Sequence, residues 1–138
     1  IALGDREGAI AAARINVERT EQAIAQDQNN GVALGHGAYS LAYLGEIDRA
    51  RDWTRRALLV DPDNQTLRYN IACSMIVNFK DLDAALELLG RYFAQPSASL
   101  VHYTEKDPDL DDIRDDPRFQ AIVADAKKRL GLEPIASD

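Results

Sequence analysis

The chain is punctuated at a fixed interval. Asp27-Gln28-Asn29-Asn30-Gly31 returns 34 residues later as Asp61-Pro62-Asp63-Asn64-Gln65, and Pro96 lies 34 beyond Pro62. Asparagine and aspartate favour helix starts, because their side-chain oxygens accept from backbone N–H groups that have no partner in the first turn. A proline biases the residue before it away from helical geometry. Each cluster therefore ends one helical stretch and begins the next. A 34-residue period built this way fits a stack of helix pairs, each of which buries its apolar face against its neighbours.

The chain has 138 residues, about one domain, with 46% hydrophobic and 28% charged residues. A globular domain of this length buries roughly 65–70% of its unfolded surface, enough for a core. Sixteen basic against 23 acidic residues give a net charge of −7. That sign disfavours nucleic acid and anionic membrane as partners. Cys73 is the single cysteine, so an internal disulfide and a thiolate metal cluster are excluded. A reducing compartment, the cytoplasm, is expected. No apolar run approaches the roughly 18 residues of a membrane span, and no secretory signal pattern is legible.

The middle repeat spans 31–64. Its first helix is expected from about Val32 to Leu44, ended by Gly45, and its second from about Asp48 to Val60. Ala38, Ala50 and Ala57 supply small residues where paired helices touch. The next repeat, 65–96, keeps the offset in its first helix, where Ala72 matches Ala38 and Met75 matches Leu41. Ile47-Asp48 then matches Leu82-Asp83, and Ala50 matches Ala85, at an offset of 35. One residue has been added around Phe79-Lys80-Asp81, so the second helix must end sooner. Tyr92 replaces Ala57, which predicts looser packing there. Residues 1–30 hold one long second helix, from about Asp5 to Ala25, in which Ala9 aligns with Ala50 and Ala23 with Ala57. Leu3-Gly4-Asp5 matches the inter-helix turn Leu44-Gly45-Glu46. The chain is therefore expected to be the C-terminal part of a longer protein, with a trimmed stand-alone domain as the alternative. The segment 97–132 predicts a short helix over Ser97–Tyr103, an acidic turn broken by Pro108, and a helix over Pro117–Leu130. Phe119, Ile122, Val123, Ala126 and Leu130 form its apolar stripe. Residues 133–138 are expected to be a disordered tail.

This pattern resembles the tetratricopeptide repeat (TPR) over residues 4–96. The resemblance implies an all-α, right-handed α-α superhelix of antiparallel helix pairs, closed by a C-terminal capping helix, whose function is protein–protein interaction. Tyr69-Asn70-Ile71-Ala72-Cys73, Asp81-Leu82-Asp83-Ala84-Ala85-Leu86, Asp107-Pro108-Asp109-Leu110 and Asp115-Asp116-Pro117-Arg118-Phe119-Gln120 carry a narrower resemblance. They are similar to the closing end of bacterial TPR arrays attached to class III adenylate cyclases, winged-helix regulators and some serine/threonine kinases. A regulatory or docking arm of a signalling protein such as an adenylate cyclase is one implied role. A stand-alone scaffold recruiting a separate protein is the other.

In a TPR the first helices line a concave groove. The groove candidates are His36, Tyr39 and Tyr43 from one helix, Tyr69, Asn70, Cys73 and Val77 from the next, and Tyr103 from the short tail helix. Tyrosine combines a large contact area with a polar end, as binding surfaces require. The implied partner is a protein or peptide, in the same chain, in another, or in a second copy as a homodimer. Asn70 occupies the position of the asparagine that grips a terminal carboxylate in some TPR domains, but Gly35, His36 and Tyr39 supply no lysine for that clamp. Gly31, Gly35 and Gly37 share one predicted helix and are expected to mark close helix approach, not a phosphate loop. Asp107, Asp109 and Asp111 alternate as in a calcium loop, yet Asp112 and Arg118 stand where its glycine and glutamate belong. They are expected to form a solvated acidic turn. His36 and Cys73 lack a third orienting group for catalysis. No catalytic, cofactor or metal residue is assigned.

Overall fold

A computed structural model describes residues 3–132; the expected tail over 133–138 lies outside them. The described residues form α1 (Leu3–Gln26), α2 (Gly31–Tyr43), α3 (Ile47–Val60), α4 (Gln65–Val77), α5 (Leu82–Tyr92), α6 (Ala98–Lys106), a 3-10 helix (Pro108–Ile113) and α7 (Pro117–Arg129). They contain no strand. None of these helices is long and apolar enough to cross a membrane.

The punctuation works as the residue types dictate. Asn30 accepts from the Ala33 N–H at the start of α2, and Asn64 accepts from the Leu67 N–H at the start of α4. Asp81, Ser97 and Asp116 cap α5, α6 and α7 in the same way, with Pro117 opening α7. At the end of α2, Gly45 takes a φ of 84°. Its N–H reaches the Ala42 carbonyl, and the Glu46 N–H reaches that of Leu41. This pair of bonds satisfies carbonyls the helix leaves open and sends α3 back along α2. The corresponding turn after α4 has one more residue, and Lys80 is its left-handed residue with a φ of 54°. α5 is then 11 residues long against 14 in α3. The added residue and the early stop are both present.

α2 packs against α1, α3 and α4, and α4 packs against α5 and the 3-10 helix. α7 lies against α5 and α6. Ala38, Ala50, Ala57, Ala72 and Ala85 are all buried at these crossings. Leu34, Leu41, Ile76 and Leu89 fill the centre, and Phe119, Val123 and Ala126 bury the α7 stripe. Arg129 ties that helix down by donating to the Phe93 and Ala94 carbonyls at 2.8 and 3.0 Å. The three glycines do sit at close approaches. A Cβ on Gly37 would lie 2.4 Å from Trp53 Cζ3, and one on Gly35 would lie 2.5 Å from Leu67 Cδ1.

Four expectations are corrected. Leu3-Gly4-Asp5 is the first turn of α1, not an inter-helix turn. Ala9 is exposed, because α1 has 24 residues and its partner α2 only 13, so the first turns of α1 run past the end of α2. Tyr92 does not loosen the α5 packing. It is 4% exposed and its ring centroid lies 5.1 Å from those of both Tyr69 and Phe93. The acidic stretch after α6 is not simply a solvated turn. Leu110 and Ile113 are fully buried within it, and their burial fixes the 3-10 helix against α4.

Candidate functional site

The 34-residue period places side chains as well as helices. Gly35, Tyr69 and Tyr103 are 34 residues apart, as are Tyr39, Cys73 and Asp107, and His36 and Asn70 form a third pair. All of these residues line one cavity of about 190 Å³. α2 contributes Gly35, His36 and Tyr39. α4 contributes Tyr69, Asn70 and Cys73, and α6 contributes Tyr103. Asp107 and Asp109 close it from the start of the 3-10 helix.

Six of the eight groove candidates thus converge: His36, Tyr39, Tyr69, Asn70, Cys73 and Tyr103. Tyr43 stands apart, one turn further along α2. It lines a separate, open depression with Tyr39 and with Ala12, Ile15 and Asn16 of α1. Tyr39 joins the two hollows. Val77 lines neither. The members also differ in exposure. Tyr39, Tyr43 and Tyr103 are 41%, 45% and 60% exposed, whereas Tyr69 is 6% exposed. Tyr69 is therefore the floor of the cavity, not a projecting anchor.

The floor is held by a polar bond. The Tyr69 hydroxyl donates to Asp107 Oδ2 at 2.5 Å, and Asp107 Oδ1 accepts from the Asp109 N–H at 3.0 Å. The Tyr69 ring lies 5.7 Å from that of Tyr103, edge to face. Arg114 braces the segment from behind by donating to the Glu105 and Asp107 carbonyls at 2.6 and 2.7 Å. Asp107 thus does two structural jobs at once: it caps the 3-10 helix and pins the Tyr69 ring.

Asp109 is in a different position. Its carboxylate accepts no hydrogen bond from the described residues, and no lysine or arginine lines the cavity. Burial, and then the neighbouring Asp107, push its carboxyl above the usual range. Burial also raises the Tyr39 phenol, with Asp109 adding to it. Cys73 is pushed up to about 12 by burial first and then by Asp107 and Asp109. Burial and the bond to Asp107 drive Tyr69 above the ordinary phenol range. The cavity is an aromatic cup with excess negative charge.

His36 and Cys73 do share the cavity, but a thiol held at about 12 is a poor nucleophile at neutral pH. Cys73 Sγ and one oxygen each of Asp107 and Asp109 lie within 4.8 Å of one another. Both Asp107 oxygens already accept bonds from the protein, so only Asp109 offers a free carboxylate.

Asp107 and Asp109 line the cavity although motif reasoning set them aside. The signal for Asp107 was in the sequence: continuing Tyr39 and Cys73 by a further 34 residues lands on it. Asp109 has no such marker. Comparisons with protein-family models, with curated protein sequences and with solved structures found no match for this chain.

Proposed function

We propose that the chain is a TPR-type protein-interaction module, a right-handed superhelix of helix pairs capped by α7, that holds a peptide along α2, α4 and α6. The observation that carries this reading is the convergence of repeat-equivalent side chains from three successive elements on one cavity. Side chains that only filled space between stacked helices would be buried, yet Tyr39, Tyr43 and Tyr103 present large exposed rings. Exposed aromatic clusters of this kind are enriched at protein interfaces. The open depression beside α1 continues the surface past Tyr39 and gives an extended or helical segment room to lie. The segment belongs either to the same chain, as in a regulatory arm of an adenylate cyclase-like signalling protein, or to a protein recruited by a scaffold.

The test is selection of binding peptides from a random displayed library on the immobilised domain, followed by calorimetry. Tyr39→Ala with Tyr103→Ala removes two exposed rings without opening the core; Tyr69→Ala would open it. The expected loss of affinity is about tenfold or more, equivalent to about 1.4 kcal/mol. Unchanged affinity in the double variant removes the groove from the account.

A further inference from the structure

We propose that the cavity between α2, α4 and α6 is a cation pocket that takes one lysine or arginine side chain of the bound segment. This deepens the groove reading and rests on it.

The first support is the unmatched carboxylate. Asp109 is partly buried beside Asp107, and no lysine or arginine lines the cavity they share. Desolvated like charges are costly unless a cation joins them. Nothing in the fold requires the Asp109 side chain: its backbone N–H, not its carboxylate, makes the local bond to Asp107. An apolar or amide side chain there would serve the fold as well.

The second support is the aromatic wall. Tyr39, Tyr69 and Tyr103 surround the same space as Asp109. The negative face of a tyrosine ring attracts an ammonium or guanidinium within about 6 Å, and the attraction grows when water is displaced. Ring and carboxylate together match both ends of a basic side chain, which has an apolar stem and a charged head. A volume of about 190 Å³ suits one such head and not a folded element. A peptide carboxylate is excluded from the same place by Asp107 and Asp109. The specificity is therefore opposite in sign to that of a carboxylate clamp, and the net charge of −7 steers basic segments toward the molecule.

The experiment uses the tightest peptide from the library selection. Each lysine or arginine in it is replaced by glutamine, and each peptide is titrated against the parent domain and Asp109→Asn. Thermal unfolding of Asp109→Asn checks that the fold is kept. One basic position is expected to lose about tenfold in affinity on replacement. Asp109→Asn is expected to cause a similar loss with the parent peptide and little further loss with the glutamine peptide. Peptides that bind with no basic position coupled to Asp109 overturn the cation pocket and leave the groove standing. Absence of any retained peptide overturns both. Zinc chloride alone, titrated into the peptide-free domain, is the remaining arm. Stoichiometric zinc binding that is lost in Asp109→Asn makes the cavity a metal site and overturns the proposal.

Discussion

Gly37→Ala sets two effects of known sign against each other. Gly37 is buried on α2, between α1 and α3. The added methyl would lie 2.4 Å from Trp53 Cζ3, 2.6 Å from Thr20 Cγ2 and 2.7 Å from Trp53 Cε3. Neither neighbour can give way freely. Trp53 is 6% exposed, and the Thr20 hydroxyl donates to the Asn16 carbonyl at 2.9 Å. Forcing a methylene-sized group into such a contact costs about 1–3 kcal/mol. Replacing a helical glycine by alanine returns up to about 1 kcal/mol in backbone entropy. The clash wins, and the expected net loss is about 1–2 kcal/mol, or a fall in Tm of about 3–8 °C. Two other glycines calibrate the balance. A Cβ on Gly35 meets only Leu67 Cδ1, the end of a flexible side chain, so Gly35→Ala should be close to neutral. A Cβ on Gly90 meets nothing within 4 Å, so Gly90→Ala should stabilise by up to about 1 kcal/mol. Urea unfolding followed by the fluorescence of Trp53, the one tryptophan, reads all three. A Gly37→Ala variant as stable as Gly90→Ala refutes the close approach of α1, α2 and α3.

Three further outcomes are expected. Lys80 holds a φ of 54° that glycine adopts without strain, so Lys80→Gly should stabilise by about 0.5–1 kcal/mol and Gly45→Ala should cost about 1 kcal/mol, both read by urea midpoints. With its thiol pushed up to about 12, Cys73 should label with iodoacetamide at pH 8 far more slowly than in the urea-unfolded chain; equal rates contradict its burial. Asp109 binds its proton more tightly folded than unfolded. Its charge therefore destabilises the fold at neutral pH, and that cost fades as the pH falls through its raised folded value. Asp109→Asn should unfold at higher urea than the parent at pH 7 and at nearly the same urea near pH 3.

The elements were legible where local chemistry decides them. Asn30, Asn64, Asp81 and Asp116 bond the N–H groups that their position in the pattern required. The extra residue near Lys80 was visible as a one-residue slip between Ala50 and Ala85. What failed depended on neighbours that no local pattern contains. Ala9 has the right identity for a helix crossing, but a 24-residue helix extends about 16 Å beyond a 13-residue partner, and no described element covers that end. Tyr92 occupies a small-residue position, yet α5 stops early and its ring stacks against Tyr69. The acidic run from Asp107 to Asp116 hid the pair Leu110 and Ile113, whose spacing suits a single turn of 3-10 helix. With those two side chains buried, Asp107 and Asp109 turn from a solvated loop into the wall of a cavity. The candidate site was thus half legible: periodicity named the tyrosines, but the partly buried charge beside them arose from tertiary anchoring.

The most direct test of the groove is a titration of the ¹⁵N-labelled domain with a selected peptide, followed by amide chemical shifts. The shifts are expected to concentrate at His36, Tyr39, Asn70, Tyr103 and Asp109, with Leu59 of α3 and Glu87 of α5, both exposed, unmoved. Shifts centred on Leu59 and Glu87, with the cavity residues unchanged, would contradict the groove reading.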